Sequence, residues 1–287
     1  MRLTSVKLMD GSREMVLLPR MADGVRLTGL SAPFPDVREV TEDRTDDDGT
    51  RDTTSLFGAR AVSVELLVTK NPRSIEDELS RFMHPRSRPY LVVDDEGWPG
   101  PRRLRLRSAG MDAPLEVDLP QRMRRIQAQW RAPDGVWEAA EETGETVSAD
   151  LDVTDGRTYP KTYPWAYPAT LAAGATLITN PGSVPAHFAA RLYGPCSGPR
   201  LVNETTGEQI YFRTALTLAA GEYVEIDTRE RTALAMSRAD ASRLTYLDFE
   251  ESSWWRIEPG ENKIRYAPRA NAAAGAAAVI TYRAAWL

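Results

Sequence analysis

Residues 59–69, ARAVSVELLVT, alternate Val62, Val64, Leu66 and Val68 against Ala61, Ser63, Glu65 and Leu67. A period of two puts the first set on one face of a strand and predicts a half-buried sheet. RRLRLR (102–107) sets Leu104 and Leu106 opposite Arg103, Arg105 and Arg107, and RIQAQW (125–130) sets Ile126, Ala128 and Trp130 opposite Arg125, Gln127 and Gln129. Together they predict a sheet with an arginine-rich outer face. Asp-Gly pairs at 10–11 and 23–24, between short apolar segments, carry the hairpin signature of a β-rich domain. One helix is predicted over RSIEDELSRFMH (73–84), where Ile75, Leu79, Phe82 and Met83 recur on one face. Ser74 and Asp77 form a capping-box-like start, and Pro85 and Pro89 end it. The spacing makes it a covering helix for a sheet, with YLVVDD as the next strand.

The alternation lapses in two places. EDRTDDDGTRDTT (42–54) holds six carboxylates and reads as a solvated loop. A calcium loop aligned on Gly49 would need acids where Arg44 and Ser55 stand. YPKTYPWAYP repeats Tyr-Pro at 159–160, 163–164 and 167–168, and proline every four residues excludes a regular helix or a central strand. Residues 155–169 are therefore expected to form an extended arm at a domain junction. It is either a stiff linker or an arm whose Tyr159, Tyr163, Trp165 and Tyr167 dock on a neighbouring domain or subunit.

From residue 170 onward, turn signals recur about every ten residues, the spacing of an all-β sandwich. Strands are expected at 170–179, 184–193, 199–204, 208–214, 222–228, 231–236, 243–249, 253–258, 262–267 and 277–287, with a type II turn at Pro259-Gly260. Trp254 and Trp255 are adjacent, so on a strand one enters the core and the other covers a flank or a neighbouring chain. The domains expected are 1–145 and 146–287.

Composition narrows the function. The chain of 287 residues has 36 basic and 41 acidic side chains, a formal charge of −5, without the positive excess typical of nucleic-acid binders. The arginine stripe has no interleaved aromatics, which leaves an intersubunit contact with an acidic surface, plain solvation or nucleic-acid contact as its readings. The single cysteine, Cys196, excludes an internal disulfide and cysteine-rich zinc sites. The start lacks the apolar core of a secretion signal and no segment approaches 18 consecutive apolar residues, so a soluble chain without membrane insertion is expected. Without a secretory route the Asn203-Glu204-Thr205 sequon is not expected to be modified.

Catalytic chemistry is hard to assemble from these residues. The two histidines, His84 and His187, sit at the end of the helix and on a strand, and no GxSxG, HExxH, phosphate loop or CxxC accompanies them. Glu225 and Asp227 share a strand face, as paired carboxylates for glycoside hydrolysis could, but so do many solvated strands. Cys196, in GPCSGP, has no neighbouring histidine and reads as a small loop residue. No catalytic, cofactor or metal site is expected.

The order of segments in the second half carries a resemblance. NPGSVPAHFAARLYGPCSGPRLVNETTGEQIYF, then LAAGEYVEIDTRERTA, then LDFEESSWWRIEPGENKIRY resembles the C-terminal domain of the siphophage distal tail protein (Dit) family. FGARAVSVELLV, the helix and RPYLVV are similar to its N-terminal domain. The resemblance implies a mainly β, non-enzymatic virion protein at the tail tip, assembled in the host cytoplasm. It implies an N-terminal ring domain with one covering helix, forming a homo-hexamer that continues the tail tube with DNA as passing cargo. It also implies an outer, galectin-like β-sandwich that can dock receptor-binding proteins, and it gives the protein the tail tube and the tail-associated hub as further partners. Arg103, Arg105 and Arg107 become candidate intersubunit contacts. Two alternatives follow: a lectin-like carbohydrate-binding module, though the galectin set of histidine, asparagine, arginine and tryptophan is incomplete around AHFAARL, or the hub of a phage-derived injection device.

Overall fold

A computed structural model describes residues 3–43, 48, 50–114, 123–149 and 174–287. The proposed arm, with Tyr159, Tyr163, Trp165 and Tyr167, and the centre of the acidic segment lie outside the described residues. The chain forms two compact units, Met1–Glu141 with Trp286–Leu287, and Glu142–Ala285. It is mainly β, with one α-helix among the described residues.

In chain order the first unit carries β1 (Leu3–Asp10), β2 (Arg13–Leu17), β3 (Val25–Ser31), β4 (Val37–Asp43), β5 (Thr50–Phe57), β6 (Arg60–Val68), α1 (Pro72–Phe82), β7 (Tyr90–Asp95), β8 (Arg102–Arg105), β9 (Arg107–Asp112), β10 (Arg124–Ala132) and β11 (Trp137–Ala139). The second carries β12 (Thr143–Ser148), β13 (Ala175–Asn180), β14 (Phe188–Tyr193), β15 (Cys196–Ser197), β16 (Arg200–Asn203), β17 (Gln209–Tyr211), β18 (Thr217–Leu218), β19 (Tyr223–Asp227), β20 (Thr232–Ala235), a 3-10 turn (Leu244–Tyr246), β21 (Gly260–Tyr266) and β22 (Ala277–Tyr282). The chain ends with β23 (Ala285–Trp286).

Two sheets build the first unit, ordered β2-β1-β7-β8-β11-β23 and β3-β6-β10-β9. The expected alternation holds: Val62, Val64, Leu66 and Val68 of β6 and Ile126, Ala128 and Trp130 of β10 are buried in one cluster with Val6, Leu8, Leu91 and Leu104 of the other sheet. Both hairpin signals are real. Asp23 and Gly24 both take positive φ, 50° and 84°, and Ala22 and Val25 bond reciprocally at 3.0 and 2.8 Å, a tight turn whose two central residues must both be left-handed.

Several sequence expectations need correction. RRLRLR is two strands, because the Leu106 amide donates to the Pro89 carbonyl (2.8 Å) and the chain passes from the six-stranded to the four-stranded sheet there. The helix starts at Pro72 after Asn71, which makes no side-chain cap, so Ser74 lies within the helix and the capping-box start is absent. Leu79 and Phe82 are buried in the core as expected, and an ion pair from Arg124 to Glu76 ties the helix to β10. The segment read as a loop over 42–54 belongs in part to an antiparallel hairpin, β4 with β5, in which Val37 stands opposite Phe57 and Glu42 opposite Arg51.

In the second unit the sheets are ordered β12-β22-β14-β19-β20 and β13-β21-β16-β17, beside a two-stranded β15-β18. Residues expected as a strand at 243–249 include the 3-10 turn, and 253–258 run without a strand, held by the Ser253 amide on Gln209 and by the isolated bridge of Ile257 to Ala186. The turn at Pro259-Gly260 has the positive φ (92°) that its third position requires. Gly182 is needed for a different reason: an added Cβ would lie 2.0 Å from the Ala285 carbonyl oxygen.

Candidate assembly surface

A β-sheet must do something with its end strands, because an unpaired edge is a template for another chain. In the second unit two such edges are occupied from within. The Ala235 amide donates to the Ala241 carbonyl and Arg243 to Ala233, both at 2.8 Å, along β20, while Asp248 donates to Tyr211 and Ser253 to Gln209, both at 2.9 Å, along β17. The four-stranded sheet of the first unit is different. Its end strands are β3 and β9, and beyond Leu27, whose amide reaches Leu18 (2.8 Å), no described strand lies along either outer edge.

The sheet's face away from the core is mostly polar, with Ser63 and Glu65 beside Ala61 and Leu67 on β6, and Arg125, Gln127, Gln129 and Arg131 on β10. Two concavities of ≈ 560 and 460 Å³ lie on it and share Gln127.

The three sequence-selected arginines part company. Arg103, on β8, is partly buried, donates to Glu138 at 3.1 and 3.0 Å and lies 4.4 Å from the Tyr90 ring centroid. Arg105 stands on the same strand and is likewise engaged. Arg107 opens β9, on the other sheet, and is exposed. Register places it directly opposite Arg131 of β10, also exposed. Like charges in this position repel, and no ion pair links either arginine to a carboxylate among the described residues. Sequence reading missed Arg131 because only strand register brings it to Arg107.

The hairpin rises from the same end of the sheet. Its neck is pinned by Arg60, which donates to the Gly135, Ala32 and Pro33 carbonyls at 2.9, 3.0 and 3.0 Å, and by a 2.6 Å bond from the Gly58 amide to the Asp36 carbonyl. Phe34 and Phe57 meet edge to face (5.7 Å between centroids) yet remain 59% and 49% exposed. β4 and β5 pair only with each other among the described strands.

The second unit's candidates are engaged structurally. Trp255 is buried and packs on Phe188, 4.4 Å between centroids, whereas Trp254 is half-buried. His187 meets the Thr228 hydroxyl at 3.5 Å, and in the first unit His84 accepts from the Arg86 amide (3.1 Å). Burial alone would raise the Glu225 carboxyl, but hydrogen bonds from Ser237 and Arg191 and the guanidinium charge hold it below the usual glutamate value. Asp227 accepts the Arg229 and Glu230 amides at 2.8 and 3.0 Å in a local turn. Burial pushes the Cys196 thiol up, against a hydrogen bond with Tyr266. Asn203 is buried and bonded to Asn262, which removes the sequon from the surface. Of the galectin-type residue kinds, Trp255, Asn180, Asn203 and Asn262 are buried and Arg191 is held by Glu225 at 2.7 Å.

Residues 182–286 match the family described as siphovirus-type tail component, C-terminal domain. No curated protein sequence matches the chain. Among solved structures, the chain is similar to SPP1 Dit (gp 19.1), described as a paradigm of the hub adsorption apparatus in phages that infect Gram-positive bacteria. The TM-score is 0.63 at 10% identity, over 98% of this chain and 99% of that one. It is also similar to a chain of the phage P2 baseplate in its activated conformation with Ca, with a TM-score of 0.53 at 14% identity over 99% and 98% of the two chains. Over its whole length the chain shares the fold of these two structures, and residues 182–286 carry the match to the siphovirus-type tail component C-terminal domain.

Proposed function

We propose that this chain is a distal tail protein that closes into a hexameric ring at the tip of a siphophage tail. The observation that carries the reading is the four-stranded sheet with two open ends and one bare polar face. In a closed ring each interface is heterologous, so the β3 edge of one copy meets the β9 edge of the next and no edge is left over. The polar face then lines the lumen, where DNA passes as cargo without sequence-specific contact.

The second unit, with two of its end strands covered from within, suits a different task. It stands outside the ring as the galectin-like sandwich that meets receptor-binding proteins, while the ring joins the tail tube to the hub. Trp254 is its half-buried flank, and the arm with Tyr159, Tyr163, Trp165 and Tyr167 is its candidate docking segment. The role is structural and takes place in the virion, after assembly in the host cytoplasm. Mass photometry with negative-stain imaging tests it: six-membered annuli are expected, and a monomer that captures glycans on an array would replace this reading with the lectin.

A further inference from the structure

We infer that the β4–β5 hairpin of one copy supplies the carboxylates that neutralise the opposed Arg107 and Arg131 of the next copy. The inference rests on the ring reading above and adds to it a named ionic contact. It starts from strand direction. All pairs in the four-stranded sheet are antiparallel, and Ser31 pairs with Ser63, Arg131 with Ala61 and Arg107 with Arg131. The end of β3 and the start of β9 therefore lie at the same end of the sheet, on its opposite edges. When copies join edge to edge with one sense of rotation, the end of one copy's β3 meets the start of its neighbour's β9.

The chain that follows β3 is the hairpin. Its neck and strands carry Asp36, Glu39, Glu42, Asp43 and Asp52 against only Arg38 and Arg51. An acidic element thus arrives beside two arginines that face each other. A two-stranded hairpin is marginal in water by itself, and Phe34, Val37, Leu56 and Phe57 stay 43–59% exposed around its base. Packing against a second copy supplies what the hairpin lacks, and opposite charges fix the register of the contact. Asp36 and Glu39, nearest the base, are the acids assigned to the contact.

Charge exchange tests this. R107E/R131E and D36K/E39K should each raise the concentration needed for ring formation by about tenfold or more at low salt, with the difference shrinking as salt screens the contact. Because every interface pairs the two surfaces from different copies, the chain carrying all four changes should form rings again. Circular dichroism and urea unfolding of each variant monitor folding. If wild-type rings form and the reversals leave them unchanged, or the four-fold variant stays as weak as the doubles, the ionic contact is overturned and the ring reading stands. A wild-type chain that forms no rings overturns both.

Discussion

The Nε of Arg60 donates to the carbonyl of Gly135, 2.9 Å away and 75 residues on in the chain. The same guanidinium bonds the Ala32 and Pro33 carbonyls, so one side chain joins the end of β3, the hairpin neck and the turn after β10. Arg60 is only 3% exposed, and its removal would leave three carbonyls without their donor. We expect Arg60→Met to cost about 2–5 kcal/mol, and Arg60→Lys most of that, because an ammonium cannot reproduce the fork. Urea unfolding of the three proteins checks the order.

The adjacent tryptophans should behave oppositely. Trp255→Ala removes a buried ring packed on Phe188, for an expected loss of about 3–5 kcal/mol. Trp254→Ala should cost under about 1 kcal/mol. Equal losses in thermal or urea unfolding would contradict the division of the pair between core and flank.

The Arg191–Glu225 pair makes a pH-dependent contribution. Its carboxyl titrates below its unfolded value of about 4.3, so the stabilisation is full above that value and fades as pH falls through the depressed folded value. Both partners are partly exposed, which limits the effect to under about 1 kcal/mol. Glu225→Gln should therefore lower stability slightly at neutral pH and lose that difference towards pH 3.

Cys196 should behave as a reporter of unfolding. Its thiol is buried beside Tyr266 and pushed up by burial, so the reactive thiolate is scarce and shielded. A thiol reagent should modify the native protein at the opening rate measured by hydrogen exchange around β15, and rapidly in denaturant. Fast labelling of folded protein would contradict this placement.

Much of the fold was legible because burial on one side leaves a period of two. β6 and β10 alternate cleanly, and Leu104 and Leu106 were read correctly as core. The break between them was hidden, because two buried leucines look the same on one strand or two and the bond from Leu106 to Pro89 is tertiary. The hairpin was hidden because acids and threonines dominate its strands. The stretch at 253–258 has the composition of a strand, but Trp255 is held by Phe188 and the segment gains only a single bridge. Of the candidate surface, the exposed Arg107 was visible in the sequence, whereas its opposition to Arg131 and the open ends of the sheet depend on register.

Trp286 belongs to the first unit, where its ring centroid lies 4.0 Å from the Arg102 guanidinium, which the Trp98 ring flanks from another side at 4.4 Å. A ribosome delivers that ring only after every residue of the second unit has emerged. The part of the molecule translated first is thus finished last, and a nascent chain cannot complete its first unit before the second has been synthesised.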